Sequence, residues 1–122
     1  MRSSTIQAVV QIYGRKKCQT TRKAVRFFAE RQIEVQNVDL DQRTPGAREL
    51  ELFIQVVGAD RLLDTESKEY KKRGLAYMEF DVSEELAGNP RLIRTPVVRS
   101  GREVVAGDDQ AGWKRIAEGE KS

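Results

Sequence analysis

Histidine is absent from this 122-residue chain, and cysteine occurs once, as Cys18. Without imidazole, neither Ser-His-Asp nor Cys-His catalysis can be assembled, and no zinc site of the usual Cys/His kind is expected. One cysteine cannot close an internal disulfide, so the fold needs no oxidising compartment and a cytoplasmic location is expected. No apolar run approaches the ~20 residues that span a bilayer, and Met1-Arg2-Ser3-Ser4 is not followed by a secretory apolar stretch. Charge of one sign is also lacking. The 22 basic and 19 acidic residues leave a net charge of +3, too slight a surplus for the clustered stripe that nucleic acid requires. Direct nucleic-acid and membrane partners are therefore not expected, and the length suits a single domain spanning residues 1–122.

What is present centres on Cys18. The run Val10-Gln11-Ile12-Tyr13 is apolar and β-prone, then Gly14-Arg15-Lys16-Lys17 forms a basic loop, and Cys18 stands where a helix begins. Helix N-termini expose unpaired N–H groups and a partial positive charge, both of which favour a thiolate. Arg15, Lys16, Lys17 and Arg22 add cations nearby, so the thiol is expected to ionise below the range of free cysteine. A lone cysteine is otherwise most often a small buried hydrophobe; the helix start and the four cations favour a redox thiol.

The rest of the chain alternates strands and helices. Ala8–Tyr13 reads as a strand, and Thr20–Arg31 as a helix whose buried face carries Ala24, Val25, Phe28 and Ala29. A second strand is expected over Ile33–Val38. Thr44 is the expected cap and Pro45 the first residue of a helix with Leu50, Phe53, Ile54 and Val57 as its stripe, closed by Gly58. Short helices follow near Arg61-Leu62-Leu63 and over Ser67–Arg73, then another after Asp81, which must stop by Asn89-Pro90. Pro96-Val97-Val98 and Glu103-Val104-Val105 flank a Ser100-Gly101 turn and read as a hairpin. A last helix starts after Gly107-Asp108-Asp109 and carries Trp113, read as core, and Ile116, with a frayed end from Gly119. The expected architecture is α/β: a right-handed parallel β-α-β unit and an antiparallel hairpin in one mixed four-stranded sheet flanked by helices.

Four segments resemble the family that joins arsenate reductases (ArsC) and the bacterial regulator Spx. They are Tyr13 to Arg22, with Thr21 at the serine of the family's loop; Gly58-Ala59-Asp60-Arg61-Leu62-Leu63-Asp64-Thr65-Glu66-Ser67-Lys68-Glu69-Tyr70-Lys71-Lys72; Asn89-Pro90-Arg91-Leu92-Ile93-Arg94-Thr95-Pro96-Val97-Val98; and Val105-Ala106-Gly107. The resemblance runs from Val9 to Ile116. It implies a thioredoxin-like (glutaredoxin-like) fold with an inserted helical subdomain at about 44–90, and a cis peptide bond before Pro96, facing the thiol.

The resemblance also implies a function. Cys18 is the expected nucleophile of a monothiol oxidoreductase, attacking an oxyanion or a mixed disulfide. Gln19, Thr20, Thr21 and Arg22 form the anion-holding loop, with Arg94 as a second anion contact and Thr95-Pro96 as the substrate loop. No bound cofactor is implied. With no second cysteine, resolution falls to glutathione as co-substrate, or to glutaredoxin or thioredoxin. Two departures count against arsenate itself: Asp64 and Glu66 stand where the subdomain's arginine is expected, and Thr95 replaces the arginine before the proline. Whether those carboxylates face the thiol or water is open at this level. Arg22 could equally serve an ion pair, and Arg15, Lys16 and Lys17 read as solvated loop charges. The alternative is an Spx-like regulator without enzymatic activity, binding an RNA polymerase subunit through Gly58 and Arg61, although a glycine that ends a helix also explains Gly58.

Overall fold

A computed structural model describes residues 10–121. The expected strand residues Ala8 and Val9, the Met1–Ser4 segment and Ser122 lie outside the described residues. Four strands, β1 (Val10–Gly14), β2 (Val35–Asp39), β3 (Val97–Ser100) and β4 (Glu103–Ala106), form one sheet in the order β2-β1-β3-β4. β1 and β2 are parallel, and β1–β3 and β3–β4 are antiparallel. Helix α1 (Gln19–Glu30) makes the crossover from β1 to β2, and α6 (Gln110–Lys121) follows the hairpin. Between β2 and β3 lie α2 (Ala47–Val57), α3 (Ala59–Leu62), α4 (Lys68–Lys72) and α5 (Val82–Gly88).

The strand period of two sorts side chains onto two cores. Val10, Ile12, Val98 and Val105 pack with Ala24, Phe28, Trp113 and Ile116 of α1 and α6. Tyr13, Val97, Val104 and Ala106 face the opposite way, onto Leu50, Phe53, Leu62, Leu86, Leu92 and Ile93. The Tyr13 ring meets Phe53 edge-on at 4.9 Å between centroids.

Several local expectations are corrected. Ala29 is exposed, and the half-buried Phe27 instead packs on Trp113. β2 begins at Val35, with Ile33 packed against the α1–α6 core before the strand starts. Gly46, rather than Thr44, caps α2, because Glu49 reaches back to accept from the Gly46 N–H at 2.8 Å. A short 3-10 turn over Leu75–Tyr77 was not foreseen, and α6 continues to Lys121 instead of fraying at Gly119. Gly58 closes α2 at φ +95°, a backbone region that favours glycine.

Glu49 also ties α2 to the sheet. Its Oε1 takes the cap N–H and faces Arg43 at 3.4 Å, while its Oε2 accepts from the Tyr13 hydroxyl. Burial and then the Glu49 contact push the Tyr13 phenol up to about 12, with Arg99 acting in the other direction. Burial raises Glu49, but the bonds from Tyr13 and Gly46 and the charges of Arg43 and Arg99 outweigh it, so the carboxyl lies below its ordinary value.

The linkage has a definite sign. Glu49's contribution is present above the ordinary 4.5 and is lost as pH falls through its lowered folded value. Tyr13's contribution is complete below 10 and is lost between 10 and about 12. Tyr13→Phe is expected to cost about 1.5–3 kcal/mol at pH 7. In urea unfolding, that gap should narrow toward pH 3 as Glu49 protonates.

Candidate functional site

The antiparallel pairing of Tyr13 with Val97 brings the end of β1 beside the residues that precede β3. The loop after β1 carries Cys18, and the residues before β3 are Thr95 and Pro96, joined by a cis peptide bond. Cys18 is the N-cap of α1 and is half-buried. Its Sγ accepts from the Thr21 N–H at 3.4 Å and from the Thr95 hydroxyl at 3.2 Å, and the Thr95 carbonyl stands at 3.9 Å as an acceptor for the thiol.

These contacts set the ionisation of Cys18. Burial raises its pKa, but hydrogen bonds from the Thr21 side chain, the Thr95 side chain and the Thr21 and Thr20 main-chain N–H groups outweigh it, and the net direction is downward. The mechanism differs from the cationic field expected of the basic loop. Arg15 donates to the carbonyls of Ile93, at 3.3 Å, and of Pro90, and pairs with Asp41 at 3.4 Å. It is thus a structural clamp and not a solvated charge. Arg22 donates to the Lys16 carbonyl at 3.0 Å. The thiol is tuned by dipoles.

Thr21 holds the site together. It is buried, and its hydroxyl lies 3.4 Å from the Arg15 N–H. A Cβ on Gly14 would collide with Thr21 Cγ2 and Oγ1, so the start of α1 can seat on the end of β1 only over glycine.

Of the residues singled out from the sequence, Cys18, Gln19, Thr20, Thr21, Thr95 and Pro96 come together. Arg22 is one turn along the same helix with its guanidinium on the loop carbonyl. Arg94 points elsewhere. It donates to the Arg61 and Leu63 carbonyls at 2.8 and 3.2 Å, stands 4.0 Å from Asp64, and its aliphatic stem fills the space over Gly107. An anion contact from Arg94 therefore requires breaking these bonds. Asp64 faces Arg94, and Glu66 faces Lys71 at 3.8 Å. Gly58 and Arg61 lie at the end of α2 and in α3, between β2 and β3, with Arg61 exposed. The direct bond from Thr95 to the sulfur was missed in sequence, although a Thr-Pro step before a strand that pairs with β1 is its signal. Among the described residues, no group of three or more Asp, Glu or Cys is placed to hold a metal ion, and no helix is long and apolar enough to cross a membrane.

Two outcomes follow for alkylation of Cys18 by iodoacetamide across pH. Thr95→Val should slow the reaction at pH 7 several-fold, whereas Arg22→Ala should leave it within a factor of ~2, since an exposed charge that bonds elsewhere is screened. Gly14→Ala should lower stability by about 1–3 kcal/mol through overpacking and slow alkylation by displacing Thr21.

Comparison with known proteins identifies the family and the fold. A family model described as the ArsC family matches residues 13–116. Regulatory protein MgsR of Bacillus subtilis (strain 168) is 29% identical over 100 residues, covering 78% of this chain and 79% of that protein. YusI of the same organism, an uncharacterized protein, is 26% identical over 102 residues, covering 78% of this chain and 86% of its own. In structure, an ArsC family related protein from Bacteroides fragilis superposes with a TM-score of 0.78 at 24% identity, over 88% of this chain and 96% of its own. An arsenate reductase from Vibrio cholerae does so at 0.71 and 21%, over 94% and 97%. The fold is thus the thioredoxin-like one, with a mixed sheet between helices, and the chain belongs to the ArsC family.

Proposed function

We propose that this protein is a monothiol oxidoreductase acting on mixed disulfides, with Cys18 as the nucleophile. The observation that supports the reading is the hydrogen-bonded sulfur at the head of α1, with its lowered pKa and its half-open position beside Thr95-Pro96. The Cys18 thiolate attacks the glutathione sulfur of a peptide–glutathione mixed disulfide. A new S–S bond forms to Cys18 and the other sulfur leaves as a thiolate, which takes a proton. A thiolate of glutathione then attacks the Cys18 mixed disulfide. This releases glutathione disulfide and returns the enzyme thiolate; the net exchange consumes one free glutathione thiol, and the other sulfur of glutathione disulfide is the one the substrate carried. Glutaredoxin or thioredoxin could replace glutathione in the second step. A reducing cytoplasm is the setting in which such a cycle runs.

Main-chain N–H groups of Gln19, Thr20 and Thr21 suit the carboxylate or main chain of a peptide-like substrate. An arsenate reaction would ask for guanidinium groups around the sulfur, and Arg22 and Arg94 bond to carbonyls instead. The test is glutathione-dependent reduction of a glutathionylated peptide, coupled to glutathione reductase. Turnover should vanish in Cys18→Ser and fall several-fold in Thr95→Val, and arsenate should not drive turnover. Wild-type protein without turnover would overturn the reading.

The MgsR relative favours a second reading, a regulator that contacts RNA polymerase through the Gly58–Arg61 face. In the nearby basic run Lys71-Lys72-Arg73, Arg73 pairs with Glu85 at 2.6 Å and Lys71 with Glu66, so part of its charge is already neutralised. Binding to the polymerase α-subunit that survives Cys18→Ser and is lost in Arg61→Glu would select this reading. No binding would remove it.

A further inference from the structure

Behind the Cys18 loop, a groove of about 380 Å³ opens between α1 and the sheet. Its origin is a run of small or polar residues where helix and strand should interlock. Asn37 is in register with Ile12, so both look toward α1. Past Val35, however, β2 presents only Asn37 and Asp39 to that side, and α1 answers with Thr21 and Val25. Among the described residues, no large side chain fills the space between them.

The wall is apolar where Ile12 and Val25 line it, and the rim is basic. Arg15, Lys16, Arg22 and Arg26 stand against one carboxylate, Asp39. Asp39 is occupied, since its Oδ1 accepts from the Asp41 N–H at 2.9 Å. Arg15 is matched by Asp41, and Arg22 is on the Lys16 carbonyl. Lys16 and Arg26 are exposed, and neither side chain has an ion-pair or hydrogen-bond partner among the described residues. An apolar wall under two cations without a partner among the described residues is complementary to one kind of occupant.

We propose that this groove binds a small amphipathic anion, an apolar body carrying a carboxylate-type head, and that its occupancy is felt at Cys18. The body lies along Ile12 and Val25, and the head meets Arg26 and Lys16. Thr21 is shared between the two sites. One side of it lines the groove, while its N–H and hydroxyl stabilise the Cys18 thiolate. A bound anion therefore opposes a second negative charge on the sulfur and presses on the residue that stabilises it.

The isotope-labelled full chain titrated with 2-naphthoate tests this, with amide shifts as the readout and the neutral 2-naphthylmethanol as control. Saturable shifts should cluster at Val25, Arg26, Asn37 and Asp39. Affinity should drop at least about fivefold in Arg26→Glu and for the neutral compound. Lys114→Glu, on α6 and outside the groove lining, should change affinity less than about twofold. Saturating naphthoate should slow Cys18 alkylation at pH 7 at least about twofold. This chemical readout does not depend on whether Cys18 turns over a disulfide. Shifts that fail to saturate by roughly 10 mM, that centre on the exposed Tyr77 and Met78, or that ignore Arg26→Glu would overturn the site. Saturation with unchanged alkylation would overturn the coupling.

Discussion

The seating of Thr21 on Gly14 is the contact from which the rest of the Cys18 site is built. A strand must hand over to a helix within four residues, and the helix axis must come close enough for its first turn to cover the strand end. Any Cβ at position 14 would hold the two apart. With glycine there, Thr21 is buried, Cys18 becomes the N-cap, and the sulfur takes the role that a serine or aspartate oxygen usually fills. A sulfur that caps a helix is under constant pressure to be an anion, because the N–H groups of the first turn have no carbonyl partner within the helix.

Hydrogen bonds therefore do at Cys18 what the basic loop promised to do with charge. The distinction matters for durability. Dipoles fixed by the backbone and by a buried threonine are insensitive to salt, whereas a field from exposed lysines fades within a Debye length of about 8–10 Å. The arginines are used for architecture. Arg15 reaches across the sheet's end to the Pro90–Ile93 segment and Arg94 reaches back to α3 and the residue after it, so each ties the stretch between β2 and β3 to the frame that carries the thiol.

What could be read in the sequence follows the range of each interaction. The first β-α-β unit, the hairpin and the position of Cys18 at a helix start are local or period-driven, and they appear as expected to within two or three residues. The α2 cap was misplaced because its position depends on Glu49 bending back to Gly46, and that carboxylate is held by Tyr13, 36 positions away. Arg15 looked solvated for the same reason: its partners at 90 and 93 are invisible until the chain has closed. Thr95 and Pro96 were reached through family resemblance, since no property of that dipeptide alone specifies that its hydroxyl meets a sulfur 77 residues earlier.

Both clamping arginines donate to main-chain oxygens: those of Pro90 and Ile93 for Arg15, and those of Arg61 and Leu63 for Arg94. Such acceptors are blind to sequence. A carbonyl is offered at every position whatever side chain is attached, so the fastening survives substitution of the residues it fastens. The helices between β2 and β3 can then exchange their outward side chains freely while the frame under the thiol stays put. One scaffold of this design could carry different outer surfaces over the same chemistry, or keep a surface in use after the chemistry has lapsed.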